Sequence, residues 1–378
     1  MRIALITENF LPKLDGVTRT VAMLLEHLQR HGHAALVLGP EGAPRRYAGA
    51  RVISVPGLPL PFYPELRALF PAPRFERRVA RFRPDIVHVV EPMLLGAAGI
   101  AWGQRLGVPV VSSYHTNLAA YCHYFRLGAL APTVWAYRRF LHNQCAATLC
   151  PSLSTARELR RQGFARVGLW PRGVDASLFS PAHRSESWRA QVAGDPHRPI
   201  ALYVGRLSHE KNLSTLAHAW GGQMREDAHL VLVGDGPARA DLERTLAGQS
   251  VTFTGYLRGE DLARVYASAD LFAFPSLTET FGQVVQEAMA SGLPVLGFDA
   301  DGVRDLVRPG ETGLLAPLDD EAAFARLLNE LLAMPGERAR LGAQARAVAE
   351  SRTWESIMDG LLAEYEQVLE GRAAELAA

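Results

Sequence analysis

Residues 272–298 read F-A-F-P-S-L-T-E-T-F-G-Q-V-V-Q-E-A-M-A-S-G-L-P-V-L-G-F, and this stretch decides the fold class. The apolar run Asp270–Pro275 predicts a buried strand. Ser276–Gly282 is polar, ends in glycine and predicts a loop. Gln283–Ala290 predicts a helix, stopped by Gly292 and Pro294, and Val295–Phe298 a second buried strand. A strand–loop–helix–strand unit puts the loop and the helix N-terminus at the carboxyl edge of a parallel sheet, where such folds take their ligands. Two carboxylates fall there, Glu279 on the loop and Glu287 inside the helix. Their spacing corresponds to at most about 12 Å along a helix axis. Two carboxylates that work on one glycosidic bond stand roughly 5–9.5 Å apart, so this pair suits two hydroxyl-binding points along one elongated ligand. Either residue alone reads equally well as a solvated glutamate on an amphipathic helix.

The same rhythm fills the rest of the C-terminal half. Strands are predicted at Ile200–Val204, Leu230–Val233, Val251–Thr254 and Gly313–Leu315, and three helices close the chain. The loop after the first of these strands, G-R-L-S-H-E-K-N, carries Arg206 and Lys211. Two cations on a ligand-edge loop suit a diphosphate, because they offset the charge that builds on a leaving group; singly, each reads as a surface charge. Composition sets Lys211 apart, since Lys13 and Lys211 are the only lysines among 40 basic residues. Asp299-x-Asp301 has the spacing of a metal-binding pair. It falls after two complete strand–helix series, so it is read as the start of a turn into Gly302.

In the N-terminal half, strands are predicted at Ile3–Ile6, Ala34–Leu38, Val52–Val55, Asp85–Val90, Pro109–Ser113 and Ala147–Cys150. Helices are predicted at Gly16–His31, Arg74–Arg83, Leu94–Leu106 and Ser154–Gln162. Alternation of this kind makes a doubly wound parallel sheet. Asp15-Gly16 precedes the first helix, so Gly16 lets a phosphate approach backbone N–H groups at the positive end of the helix dipole, or Asp15 is a plain cap. The turn is not G-x-G-x-x-G, which excludes an NAD-type motif. Tyr114 and His115 follow a strand directly and so lie at the carboxyl edge. The helix Arg74–Arg83 puts Arg74, Arg77, Arg78 and Arg81 on one face and Phe75, Val79 and Phe82 on the other. That pattern suits an anionic membrane surface, or a helix packing its phenylalanines on its own domain. Leu118–Asn143 is an aromatic insertion with Arg126, Arg138 and Arg139, placed to shape an acceptor pocket beside His115 or to serve as extra core. Trp170–Pro196 is polar and irregular and reads as the linker. The expected architecture is α/β: two Rossmann-like domains, 1–175 and 176–354, facing a cleft, with 355–378 a helix packing back toward the first.

Composition narrows the function. The 378 residues are 48% hydrophobic and 21% charged with a net charge of +1, which excludes a general nucleic-acid binder. Cys122, Cys145 and Cys150 are odd in number with no C-x-x-C, which reads as reduced thiols in a cytoplasmic protein. Glu8 arrives too early for a signal-peptide core, and the uncharged stretch Pro92–Gln104 is too short to span a bilayer.

In order and spacing, these motifs resemble glycosyltransferase family 4, the retaining nucleotide-sugar transferases of the two-domain GT-B fold. Phe10-x-Pro12-x-x-Asp15-Gly16-Val17 is similar to the family's N-terminal glycine loop, although many members have Gly-Gly there. Tyr114-His115-Thr116, Arg172-Gly173-Val174-Asp175, Gly205-Arg206-Leu207 with Glu210-Lys211-Asn212, and the Glu279-to-Glu287 signature complete the match. The resemblance implies that Arg206 and Lys211 bind the donor diphosphate, with Gly16 giving backbone contact near it. It implies that Glu279 and the backbone of Thr280, Phe281 and Gly282 bind donor-sugar hydroxyls, that Glu287 binds the ribose, and that His115 lies by the sugar and acceptor. No metal or other cofactor is implied. Asp301-Gly302 departs from a common Gly-Gly. Within the family the motifs look most like GDP-mannose-dependent α-mannosyltransferases and sulfoquinovosyl transferases acting on lipids. A GDP- or UDP-sugar donor, a lipid or glycolipid acceptor and peripheral attachment at the inner membrane face are therefore expected. Transfer to a soluble sugar, a nucleotide-sugar epimerase and a non-catalytic sensor are the other readings.

Overall fold

The computed structural model describes residues 1–378 except 14, 61–62, 120–121, 123–127, 222–226 and 378. The chain divides into two compact units. Unit 1 comprises Met1–Arg172 and Trp354–Ala378, and unit 2 is Gly173–Thr353.

Unit 1 contains strands β1 (Arg2–Thr7), β2 (Ala34–Pro40), β3 (Arg46–Tyr47), β4 (Ala50–Val55), β5 (Gly57–Leu60), β6 (Tyr63–Leu69), β7 (Ile86–Val90), β8 (Val110–Ser113), β9 (Ala147–Cys150) and β10 (Val167–Leu169). Eight of them form one sheet in the order β10-β9-β8-β7-β1-β2-β4-β3, parallel apart from β3. β5 and β6 pair as a separate antiparallel hairpin. The central strands read as near-continuous apolar runs because helices cover both faces. On one face Val21, Leu24 and Leu28 of helix Gly16–Arg30 pack with Met358, Leu361 and Tyr365 of helix Trp354–Ala377. On the other, Ile100 and Trp102 of helix Leu94–Leu106 pack with Phe75 and Val79. Helix Leu94–Leu106 approaches closely because it turns glycines to the sheet. A Cβ at Gly99 would stand 2.6 Å from the Ile6 side chain and one at Gly103 2.4 Å from that of Val110.

Unit 2 holds β11 (Ile200–Val204), β12 (His229–Val233), β13 (Val251–Gly255), β14 (Leu271–Phe274), β15 (Val295–Phe298) and β16 (Gly313–Ala316). The order is β13-β12-β11-β14-β15-β16, parallel throughout. In both sheets the chain winds outward from one strand and then crosses to its other side, between β1 and β7 in unit 1 and between β11 and β14 in unit 2. Such switch points open a crevice at the carboxyl ends of the strands. The helix Gln283–Ala290 and the strand Val295–Phe298 stand as the sequence predicts.

One expectation needs correction, and two further segments take a definite form. The segment Trp170–Pro196 is not irregular throughout, because Glu186–Ala193 is a helix capped by the Ser185 hydroxyl. Its polar composition hides a buried anchor: Arg189 is 1% exposed, pairs with Asp270 at 2.9 Å and donates to the carbonyls of Pro196, Arg198 and Ser268. The basic helix forms as Pro73–Phe82, but Phe75 and Val79 are spent on the domain's own core. Arg74, Arg77, Arg78 and Arg81 are left exposed without a free apolar face beneath them. Of the aromatic insertion, Ala131–His142 is a helix, and Arg126 lies outside the described residues.

Candidate active site

At the unit 2 switch point the loops after β11 and β14 are neighbours because their strands pair. Residues His209–Lys211 turn once as a 3-10 helix, and Asn212 takes a left-handed conformation at φ 53° to leave it. This presents Lys211 toward the second loop, where its Nζ meets Glu279 Oε1 at 2.5 Å. The Ser276 hydroxyl donates to the same oxygen at 3.0 Å. Side chains of Lys211 and Glu279 remain 21% and 16% exposed, so the pair is reachable from solvent. An ammonium has three donors and a carboxylate accepts at both oxygens, so neither group is saturated by this contact. Arg206 stands on the first of these loops, half-buried, with its carbonyl accepting from the Tyr203 hydroxyl at 3.1 Å.

Glu279 is held from behind by Gly302. At φ 79° this residue passes so close to the Glu279 backbone that a Cβ would lie 2.6 Å from the Glu279 carbonyl oxygen. Asp299 pairs with Arg304 at 3.0 Å, and Asp301 is exposed. The Phe281 side chain joins the core, which leaves its backbone and that of Thr280 and Gly282 on the loop. Gly282 is left-handed at φ 91° and opens the helix Gln283–Ala290. One turn in, Glu287 is only 3% exposed, and the Tyr266 hydroxyl donates to its Oε2 at 3.4 Å. A glutamate so buried is not a solvated helix residue.

In unit 1, Asp15 caps helix Gly16–Arg30 through the Thr18 N–H at 2.8 Å and also receives Asn9 at 2.6 Å and Lys13 at 2.9 Å. The Lys13 charge and these hydrogen bonds hold its carboxyl below the ordinary range, against desolvation by burial, which acts the other way. Gly16 is exposed, with open space where a Cβ would stand. Glu8, at the end of β1, accepts from the backbone N–H groups of Met93 and Gly96 at 3.0 and 3.2 Å. Burial nevertheless pushes its carboxyl up to about 7.

His115 follows β8 and is 5% exposed. Its backbone N–H and that of Thr116 both donate to Glu91 Oε2 at 2.7 Å, and Glu91 in turn pairs with the buried Arg138. The ring contacts Ser113 Oγ through Nε2 at 2.9 Å and Arg172 through Nδ1 at 2.6 Å. Burial and then the Arg172 charge hold the imidazole well below its ordinary range, so it is neutral. Tyr114, expected to face an acceptor or membrane, is instead 1% exposed. Its ring packs against Trp135 and Phe164 under the Arg138 guanidinium, 4.3 Å from the centroid. Among the described residues one group of metal-ligand type converges, His27, His31 and Asp359. It lies at the far end of helix Gly16–Arg30 from the Asp15-Gly16 turn.

Two family profiles match the chain, one described as Glycosyltransferase Family 4 over residues 14–178 and one as Glycosyl transferases group 1 over residues 198–334. A GDP-mannose-dependent alpha-mannosyltransferase of Mycolicibacterium smegmatis is 41% identical over 380 residues, covering 99% of both chains. The chain belongs to the family 4 glycosyltransferases. The Arabidopsis thaliana sulfoquinovosyl transferase SQD2 is 34% identical over 363 residues, 93% of this chain and 71% of that one. The Anabaena protein HepE, solved with UDP, superimposes with a TM-score of 0.81 at 19% identity, over 97% of this chain and all of that one, a likeness of GT-B fold.

In this glycosyltransferase the structure brings Lys211 and Glu279 together, and both motif loops of unit 2 stand at one switch point. Sequence reasoning missed Glu8 and Glu91. Each is the acidic residue that ends a strand flanking the unit 1 switch point, and the topological rule applied to His115 finds them too. Arg138 and Arg172 stand in the aromatic insertion and in a family motif, but their pairing with Glu91 and His115 carries no local signal, because those partners are distant in sequence.

Proposed function

We propose that the protein is a retaining transferase that moves mannose from GDP-mannose to a lipid or glycolipid acceptor. The observation that carries this reading is the Lys211–Glu279 pair at the unit 2 switch point, on the two motif loops of a chain 41% identical to a GDP-mannose-dependent alpha-mannosyltransferase. Lys211 keeps one donor on Glu279 and turns the others to the diphosphate, where Arg206 adds a second charge. Together they stabilise the leaving group as its bond to the sugar breaks. Glu279, an acceptor-only carboxylate, takes donor-sugar hydroxyls, and the N–H groups of residues 280–282 complete that pocket. Glu287 takes the ribose, and Gly16 offers its backbone beside the diphosphate.

Retention needs the acceptor hydroxyl to arrive on the face that the diphosphate leaves. The departing phosphate oxygen is then the base, and the proton passes from the acceptor to it. His115 stands beside the sugar and acceptor but does not take that proton, because both ring nitrogens are engaged and burial beside the Arg172 charge disfavours the imidazolium. The cations do a metal's work at the diphosphate, so the reaction proceeds without one. The exposed arginines of helix Pro73–Phe82 hold the enzyme to anionic lipid as a peripheral protein of the inner membrane face. No helix among the described residues is long and apolar enough to cross a membrane.

Incubation of the purified protein with GDP-mannose, GDP-glucose or UDP-glucose and a membrane lipid extract tests the reading. Release of GDP with a mannosylated lipid product is expected. Turnover only of UDP-glucose would displace the donor, and turnover of no donor would displace the reaction.

A further inference from the structure

A buried row of polar side chains runs through unit 1 and ends on His115. Tyr365 of the C-terminal helix meets His88 Nδ1 at 2.5 Å, His88 Nε2 meets Ser113 Oγ at 3.0 Å, and Ser113 Oγ meets His115 Nε2 at 2.9 Å. His115 Nδ1 then meets Arg172 Nη2 at 2.6 Å. His88, Ser113 and Tyr365 are fully buried, and His115 and Arg172 are 5% and 6% exposed. The indole of Trp170 fills the angle between the two imidazoles, with ring centroids at 5.2 and 5.4 Å.

One end of this row has a fixed polarity. A guanidinium has five donors and no acceptor, so the His115–Arg172 contact is a hydrogen bond only if Nδ1 is bare. A neutral imidazole then carries its proton on Nε2, and that proton goes to Ser113 Oγ, which has lone pairs to receive it. The imidazolium is excluded as well, since it would point an N–H at an arginine. We propose that Arg172 is a positioning residue of the transferase, which with Ser113 locks His115 as the neutral Nε2–H tautomer. The ring becomes a fixed dipole in place of a titrating group. The backbone of the same residue is held by Glu91, so ring and main chain are both set.

The groups that surround the ring act in the same direction. After desolvation, the Arg172 charge does most to disfavour a proton on it and the Arg138 charge acts the same way, while His88 and His142 are held neutral by their own burial. Glu91, the acid beside it, is already occupied by two backbone N–H groups and by Arg138. Arg172 is also the last residue before the chain leaves unit 1, so the lock is applied from the connection to unit 2.

The experiment is 15N NMR of the whole protein labelled at histidine, from pH 5.5 to 8, with the His115 ring assigned by its loss in His115→Asn. Wild type is expected to show a protonated Nε2, a bare Nδ1 and no titration. A protonated Nδ1 or an imidazolium would overturn the proposal, and this arm needs no Arg172 variant, only the assignment by His115→Asn. Arg172→Met keeps the side-chain length but not the donors. It is expected to populate both tautomers and to let the ring titrate, and Arg172→Lys, again donor-only, to restore the single tautomer. An unchanged single tautomer in Arg172→Met would refute the role of Arg172.

The effect on turnover rests on the reading of His115 as a donor-site residue. In Arg172→Met, kcat is expected to gain an acid limb that wild type lacks, falling about tenfold for each pH unit below the new ionisation, with KM little changed. A released tautomer with a flat kcat profile would leave the lock intact and refute the placement of His115 beside the reacting sugar.

Discussion

Replacing Glu8 with glutamine tests how the switch point of unit 1 is held together. Glu8 is 5% exposed at the end of β1 and accepts the N–H groups of Met93 and Gly96. Desolvation outweighs those hydrogen bonds and raises its carboxyl from 4.5 to about 7. A folded-state value above the unfolded one means that the native state binds the proton more tightly. The associated stability is complete below pH 4.5 and is lost as pH rises through about 7. The rise from 4.5 to about 7 corresponds to about 3 kcal/mol, since a tenfold change in proton affinity is worth 1.36 kcal/mol. Glutamine keeps a carbonyl for the two N–H groups and never ionises. Glu8→Gln is therefore expected to be more stable than wild type by about 3 kcal/mol at pH 8 and by less than about 1 kcal/mol at pH 5. Two units in one chain make a single melting temperature ambiguous, so the assay is amide hydrogen exchange of Ile3–Ile6. Protection should rise about a hundredfold in the variant at pH 8 and converge at low pH. Equal protection at pH 8, or a wild-type strand that gains on the variant as pH rises, would show that Glu8 ionises without penalty and refute the reasoning.

The remaining predictions concern turnover and the membrane. Arg206→Ala and Lys211→Ala should each lower kcat by about 100–1000-fold, the usual effect of removing a preorganised stabiliser; near-wild-type rates in both would remove the diphosphate role. Lys211→Ala should also leave Glu279 without its cation, so the double variant with Glu279→Gln should lose less than the product of the single losses, measured as kcat/KM. Glu279→Gln should act mainly on kcat and on the choice of sugar, whereas Glu287→Gln should act mainly on donor affinity, and identical profiles for the two would contradict their assignment to sugar and ribose. Charge reversal at Arg77 and Arg81 should weaken binding to anionic vesicles by more than tenfold at low salt, at about 1 kcal/mol per basic residue near such a surface, and leave neutral vesicles unaffected. Salt-independent binding would count against the basic face.

What the sequence revealed and what it concealed divide along a physical line. Buried parallel strands are apolar runs closed by glycine or proline, so Val295–Phe298, Ala147–Cys150 and the helix Gln283–Ala290 could be read locally. Lys211 and Glu279 were each legible as edge residues, but their pairing follows from β11 lying beside β14, which is a property of strand order. The hairpin of β5 and β6 escaped because its proline-rich strands lack alternation, and the helix Glu186–Ala193 because its anchor is an arginine. The amphipathic pattern of Arg74–Arg83 predicts a helix, but a pattern cannot say whether its apolar face meets lipid or a sheet; here it meets the sheet. The row from Tyr365 to Arg172 joins residues from the two ends of unit 1, and nothing local announces it.

That discontinuity has a consequence for how the protein is made. Unit 2 is one uninterrupted segment and holds every residue of its own core. Unit 1 is not: Met358, Leu361 and Tyr365, which complete one face of its sheet, follow the whole of unit 2 in the chain. Domains commonly fold in the order in which they emerge during synthesis. Here the N-terminal sheet emerges first with one face covered only in part, by helix Gly16–Arg30, and has to wait until the last helix is released to complete it. The half of the enzyme that is translated first is the half that is finished last.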